Sequence, residues 1–252
     1  MDFSSKRVLV TGGARGIGRA VAQAFAARGA QVALSYRSNH EAAQETLATL
    51  LDGPHVAIPG DIADPEVAAG VVKRACRDLG GLDIVVNNAG VGEHHPLEAV
   101  SYGDWQAAWQ RILAVNLLAP ANICYCAAHY MIERGGGRIV NVSSRGAFRG
   151  EPEQPAYGAS KAGLNAMSQS LAQKLAPHGI FVGVVAPGFV ETDMAAARLA
   201  GPEGEAIRQQ SPLGRVARPE EVAHAVLFLA SPGAEFSTGT IIDVNGASYL
   251  RS

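Results

Sequence analysis

Tyr157 and Lys161 stand four residues apart in the run SRGAFRGEPEQPAYGASK, residues 144–161, so on a helix they share one face, one turn apart. Upstream, RIVNVS (138–143) reads as a buried parallel strand, and Ser144 falls just past its carboxyl end. Open α/β sheets hold their ligands there. A phenol, an ammonium and a hydroxyl converging at that point make a proton-transfer device. Tyrosine titrates at about 10 and is a poor acid or base at neutral pH. A neighbouring lysine charge favours the phenolate and lowers that value, while Ser144 can hydrogen-bond a substrate oxygen. Tyrosine and lysine at this spacing also begin ordinary surface helices, so the pair takes its meaning from what surrounds it.

The elements that must position these groups begin with RVLVT (7–11), a β-branched run that breaks into GGARGIG (12–18). From Gly16 to Gly29 the alanine-rich pattern, with apolar Ile17, Val21 and Phe25, has helical spacing. Strand, glycine turn and helix in that order form the context of a dinucleotide site. Gly12 permits the turn, Gly16 lets the backbone approach a pyrophosphate, and Gly18 lets helix pack on strand. The helix N-terminus offers unpaired N–H groups to phosphates. A glycine-rich loop without a ligand is the plainer alternative. QVALSY (31–36) is the second strand, and it ends in Arg37, Ser38 and Asn39 with no acid before Glu41. NAD-binding versions place an acid near this point to take the ribose hydroxyls. Arg37, with Arg15 from the glycine turn, can instead meet a 2′-phosphate, which predicts NADP(H) over NAD(H). Otherwise both arginines are solvated surface charges.

A helix follows over 39–51 and a third strand over 55–59, leading to Asp61 and Ile62. Asp61 either accepts from an adenine amino group or caps the next segment. Asp64 with Pro65 opens a helix by N-cap and N1 logic. Residues 82–86 form a fourth strand ending in Asn87, Asn88, Ala89 and Gly90, a turn suited to close backbone contact. Four βα units in order imply a doubly wound parallel sheet. Over 104–133 the pattern is helical, with Trp105 and Trp109 read as packing anchors. Asn116 is a polar amide in an apolar helix, and Pro120 four residues on frees a helical carbonyl. A kink there could admit a water that Asn116 orders. The Tyr157 helix continues to about Pro177, and a sixth strand (180–185) empties into APGFVET (186–192). There Pro187-Gly188 marks a turn, and Thr192 is placed to meet a ligand. Residues 193–211 are Ala/Gly-rich and read either as a substrate lid or as a passive excursion. A last helix (219–230) and strand (240–244) complete one domain, 1–252, without repeats or linkers.

Hydrophobic residues make up 48% of the 252 and charged residues 17%, against a usual charged share of about 25%. Low charge points to surface covered by partner subunits. A formal net charge of −2 argues against nucleic acid or an anionic membrane as principal partner. No apolar run looks long enough to span a bilayer and no secretory signal is evident, so a cytoplasmic location is expected. Cys76, Cys124 and Cys126 are odd in number and form no CxxC, which suits buried free thiols. Glu93, His94 and His95 could suggest a metal, but adjacent histidines point apart and no further ligand stands at the right spacing, so none is expected.

Taken together, these motifs closely resemble the short-chain dehydrogenase/reductase family over essentially the whole chain. Thr11-Gly-x-x-x-Gly-x-Gly18 is similar to its coenzyme turn, Asn87-Asn-Ala-Gly90 to its central motif, and Pro187-Gly188 with Thr192 to its post-strand motif. The resemblance implies a Rossmann-like seven-stranded parallel sheet with helices on both faces. It implies Tyr157 as acid/base and Ser144, thirteen residues earlier, as the group orienting the carbonyl. Lys161 would serve both the Tyr157 pKa and the nicotinamide ribose, and Asn116 would hold a relay water. Asp61 and Ile62 would meet the adenine, Asn88, Ala89 and Gly90 the adenosine ribose side, and Pro187, Gly188, Val190 and Thr192 the nicotinamide end. A homotetramer would pair the Asn116 and Tyr157 helices across a two-fold axis. The likeness is to 3-oxoacyl-[acyl-carrier-protein] reductases and to sugar and polyol dehydrogenases. A carrier-protein enzyme should show a basic patch, here only Arg134, Arg138 and Lys174, with His178 where arginine is expected. Polar residues at 93–95 and at Arg145, Arg149, Glu151 and Glu153 favour a small polar carbonyl or alcohol substrate. A non-catalytic coenzyme-binding sensor is the alternative from another class, although Ser144, Tyr157 and Lys161 are all present.

Overall fold

The structure is a computed structural model and describes residues 1–51 and 53–251. Most strands are short runs rich in β-branched residues, closed by glycine, proline or a polar turn. In chain order the elements are β1 (Arg7–Thr11), α1 (Gly16–Ala26), β2 (Gln31–Tyr36), α2 (His40–Ala48), β3 (Val56–Pro59) and α3 (Pro65–Asp78). There follow β4 (Ile84–Asn87), α4 (Tyr102–Leu113), a π-turn (Ala114–Leu118), α5 (Ala119–Ile132), β5 (Gly137–Val142) and α6 (Gly146–Arg149). The chain then forms α7 (Pro155–Leu175), β6 (Ile180–Pro187), α8 (Asp193–Ala200), α9 (Gly204–Arg208), α10 (Pro219–Ala230) and β7 (Ile241–Val244). The strands make one parallel sheet in the order β3-β2-β1-β4-β5-β6-β7, as the doubly wound reading requires.

Strand alternation divides the core into two layers. Val8 and Val10 of β1, with Val86, Val140 and Val142, pack under α1 and α10. Leu9, Val85, Ile139 and Val182 face the other way, against α3, α5 and α7. Local chemistry sets the helix starts. Asp64 Oδ1 accepts from the Glu66 and Val67 N–H groups at 2.8 and 3.3 Å, with Pro65 as the first helical residue. Ser101 Oγ accepts from the Asp104 N–H at 3.1 Å and starts α4. The strand order reverses between β1 and β4, so their carboxyl ends splay apart into the crevice where such sheets bind ligands.

The 193–211 stretch contains two short helices, α8 and α9. One expectation changes. The continuous helical stretch Tyr102–Ile132 is 31 residues long and, by length and composition alone, apolar enough to cross a membrane, contrary to the expectation that no run would be. Its Ile123, Cys124, Ala127 and Met131 side chains are buried against the sheet and α3, which accounts for the apolarity.

Candidate active site

At the crevice the first turn of α1 has, among the described residues, no side-chain cap and no acidic residue, leaving N–H groups free for an anion. Gly12 holds φ +63°, and a methyl there would press on Ala89 at 3.0 Å. A methyl on Gly18 would run into the Gly12 carbonyl, so the α1–β1 approach requires a bare Cα. Gly16 faces Thr192, whose methyl would lie 3.2 Å from any Cβ placed on Gly16, and Ile17 packs against the core. A cradle this bare, at an uncapped helix end, fits a pyrophosphate. Asn88 ties the turn together: its Nδ2 donates to the Thr11 and Gly12 carbonyls at 2.9 and 3.2 Å. Buried Thr11, whose supporting role is not evident from the sequence pattern, accepts through Oγ1 from the Asn88 and Ala89 N–H groups, both at 3.0 Å. A hydroxyl as the last strand residue before the glycines is the signal for it.

Arg37 and Ser38 lie exposed at the end of β2, on the rim of the crevice. Arg15 is exposed beside the glycine turn and approaches Asp193 only to 4.0 Å. Ile62 is buried, whereas exposed Asp61 accepts from the Ala63 N–H at 3.1 Å. Asp64, not Asp61, caps the next helix. Pro187 closes β6, and its carbonyl accepts from the Arg145 N–H at 2.9 Å. Gly188 donates its N–H to the Val244 carbonyl at 3.0 Å, while buried Val190 bridges to Ala217.

On α7, Lys161 is buried and its Nζ donates to the Val142 carbonyl at 2.8 Å. Burial lowers its pKa to about 8. Its ammonium lies 5.9 Å from the centre of the Tyr157 ring. Against expectation, the Tyr157 pKa is raised: burial dominates, a Ser144 hydrogen bond opposes it, and the Glu151 charge adds to it. The Lys161 ammonium, 5.9 Å from the ring centre, is not among the groups that set this shift. Ser144 Oγ also accepts from the Gly146 N–H at 3.0 Å. Ser143, by contrast, is buried and turns its hydroxyl to the Lys161 carbonyl at 3.3 Å.

Asn116 is fully buried in the π-turn. Its Oδ1 accepts from the Val91 N–H at 2.8 Å, and its Nδ2 donates to the Val91 carbonyl at 2.9 Å and to Ser160 at 3.1 Å. The side chain is thus engaged, so any water it orders must be held by its main-chain carbonyl, which Pro120 deprives of an α-helical donor. A methyl at Gly90 would sit 3.4 Å from both Asn116 Oδ1 and Lys161 Nζ, so Gly90 keeps the space between them open.

The polar loops are less available to substrate than their composition suggests. Glu93 pairs with Arg111, and His94 lies 3.1 Å from Glu153. His95 is buried, its Nδ1 2.7 Å from the Glu93 carbonyl and its Nε2 accepting from the Ala156 N–H at 3.3 Å, with its ring edge-on to Trp105. The candidate basic patch is at the wrong end. Arg138 is the second residue of β5, at the end opposite Ser144, and pairs with Glu235, while Arg134 stacks on Tyr130 at 3.9 Å. Buried Cys124 accepts from Asn87 Nδ2, and burial pushes its thiol up to about 12, which leaves it unreactive.

This geometry, a glycine cradle beside a serine–tyrosine–lysine cluster over a doubly wound sheet, defines a class. The family model described as enoyl-(acyl carrier protein) reductase matches residues 12–247, and the chain belongs to the short-chain dehydrogenase/reductase family of oxidoreductases. Among its relatives, the 3-oxoacyl-[acyl-carrier-protein] reductase FabG of Escherichia coli is 37% identical over 99% of this chain and 100% of its own. The 3beta-hydroxysteroid dehydrogenase 1 of Eggerthella lenta is 36% identical over 99% of this chain and 95% of its own. A short chain dehydrogenase from Burkholderia cenocepacia, solved in complex with NADP, superposes with a TM-score of 0.90 at 36% identity, covering 98% of this chain and 99% of that one.

Proposed function

We propose that the chain is an NADP(H)-dependent oxidoreductase that moves a hydride between nicotinamide and the carbonyl or secondary alcohol of a small polar substrate. One observation carries this reading: Ser144, Tyr157 and Lys161 converge at the carboxyl end of β5, beside the bare glycine cradle of β1 and α1. When bound, the coenzyme supplies or accepts the hydride. The protein supplies everything else. Ser144 holds the substrate oxygen, and Tyr157 gives it a proton from the phenol. Burial keeps that phenol protonated, the form reduction needs. The Lys161 ammonium stabilises the phenolate left behind, and a water on the Asn116 carbonyl returns the proton; oxidation reverses these moves.

Gly12, Gly16, Ile17 and Gly18 would hold the pyrophosphate. Asp61, Ile62 and Asn88 to Gly90 would line the adenosine half, and Pro187, Gly188, Val190 and Thr192 the nicotinamide half. Arg15, Arg37 and Ser38 at the rim, with no acid at the end of β2, support NADP(H) over NAD(H), as does the NADP-bound structural relative. Tyr157→Phe is expected to keep NADP+ affinity while losing roughly 100- to 10,000-fold in turnover. Fluorescence titration and a ketone, sugar and thioester panel with NADPH check both, and substantial residual turnover counts against the role.

A 3-oxoacyl-[acyl-carrier-protein] reductase is the second reading, favoured by the 37% identity to the Escherichia coli enzyme. The internally paired Arg138, at the far end of the sheet, speaks against a carrier-protein docking patch there. The chain would act as a single domain in the cytoplasm, with 193–211 closing over substrate. The exposed Leu118, Tyr125 and Ile132 side chains fit burial by further copies in a homotetramer.

A further inference from the structure

The segment from Gly90 to His95 meets the catalytic helix α7 at three points in turn. A methyl placed on Gly90 would stand 3.4 Å from Lys161 Nζ, and one on Gly92 would stand 3.8 and 4.0 Å from Cδ2 and Cε2 of the Tyr157 ring. Between them the Asn116 side chain grips both the N–H and the carbonyl of Val91. The far end is held by His95, which is 1% exposed and donates its main-chain N–H to the Glu153 carbonyl at 2.8 Å. Its two ring nitrogens have fixed roles. Nδ1 lies 2.7 Å from the Glu93 carbonyl, which can only accept, so Nδ1 carries the proton. Nε2 lies 3.3 Å from the Ala156 nitrogen, whose N–H can only donate, so Nε2 carries none. The ring is therefore held as the neutral Nδ1–H tautomer. Helix α7 has no means of its own to do what this ring does. Among the described residues it has no side-chain cap at Gln154 and no acid in its first turn. Pro155 lacks an N–H, and the Tyr157 N–H is bonded to the Gln154 carbonyl at 2.9 Å. That leaves the donor of Ala156, a fully buried residue, which is costly if unmet.

We propose that His95 is a positioning residue for the reaction: by capping the Ala156 N–H from another element, it fixes the first turn of α7 and with it the Tyr157 phenol against Ser144. The inference rests on the oxidoreductase reading and adds to it a residue that acts through Tyr157. Tyr157 is the third residue of α7, inside the turn whose free donor the ring secures. His95 is not itself the acid or base, because both ring nitrogens are engaged and the ring packs edge-on to Trp105 at 5.5 Å. The two ion pairs beside it, His94 with Glu153 and Glu93 with Arg111, are exposed and hold the loops only weakly. The buried ring is the firm tie. Reacting groups tolerate little error, since a misplacement of about 1 Å costs roughly a hundredfold in rate.

Two variants separate the cap from the packing. His95→Phe keeps a ring edge for Trp105 but offers Ala156 no acceptor, whereas His95→Gln keeps an acceptor oxygen. Both are compared with the wild type by steady-state kinetics with NADPH and a ketone that turns over, and by fluorescence titration of NADP+. His95→Phe should lose roughly ten- to a hundredfold in kcat, with KM for the ketone and affinity for NADP+ little changed. His95→Gln should recover most of that loss. An unchanged kcat in His95→Phe, an equal loss in both variants, or a fall in NADP+ affinity alongside kcat overturns the proposal, because each makes His95 a packing residue only. The wild-type protein gives a readout that depends on no variant folding: the 15N spectrum of the His95 ring should show a protonated Nδ1 and a bare Nε2. The opposite tautomer, or an imidazolium at neutral pH, overturns the proposal as well. Failure of the oxidoreductase reading appears separately, as absence of NADPH turnover with every carbonyl while the ring tautomer still holds; the cap then stands and the positioning role falls.

Discussion

Replacing Lys161 by methionine tests whether the cluster is built on a desolvated ammonium. The side chain is 4% exposed, and burial takes its pKa from 10.5 to about 8. Between those values the unfolded chain binds a proton that the folded chain does not, so folding stability rises with pH across this window. Below about pH 8 both states are charged and the folded protein carries the whole penalty; above about 10.5 neither is charged and the penalty is gone. Two and a half pH units at about 1.4 kcal/mol each give a swing of about 3 kcal/mol from this residue alone. Lys161→Met removes the titration and leaves the Val142 carbonyl unpaired, a cost that does not vary with pH. Urea unfolding of both proteins without coenzyme, at one protein concentration and at several values between pH 7 and 10.5, isolates the effect by difference. Wild-type stability minus variant stability should climb by about 3 kcal/mol over that range. A difference that stays flat would refute the reasoning.

Ser144→Ala should lower kcat by about 100-fold or more, and Ser143→Ala much less, because the Ser143 hydroxyl is spent on the Lys161 carbonyl; steady-state rates with NADPH decide, and the reverse order would put the register out by one. Arg37→Ala should raise KM for NADPH by roughly tenfold, the loss of one charge-assisted contact, with little change for NADH. Equal effects on both coenzymes would make Arg37 a surface charge with no role in the choice.

Much of the fold is legible in the residues themselves. Most of the strands end at a glycine, proline or amide, β2 and β5 excepted, and α10 spans residues 219–230 as its pattern predicts. Asp64 and Pro65 announce the start of α3 because capping is a local matter. The Ser144, Tyr157 and Lys161 set follows from spacing plus one strand end, which places three groups at one crevice before any three-dimensional information enters. What escapes the sequence is whatever depends on burial and pairing between distant segments. The i,i+4 spacing suggests a lysine that lowers the Tyr157 pKa, but the desolvation that reverses the sign comes from neighbours on other elements. Glu93, His94 and His95 look like substrate lining until Arg111, Glu153 and Ala156 arrive to occupy them. Arg145 reads as one more loop charge, and only the return of residues 210 and 248 to its side reveals that it is buried. Pro120 hints at a break near Asn116, yet the π-turn and the engagement of the amide by Val91 depend on the packed crevice.

A structure of the protein crystallised with NADP+ is the most direct test of the central claim. The nicotinamide C4 should lie so that a carbonyl carbon seated against it, about 3–3.5 Å away, has its oxygen within hydrogen-bond reach of both the Tyr157 phenol and the Ser144 hydroxyl. A nicotinamide ring held elsewhere, with the phenol out of reach of any such oxygen, would contradict the account.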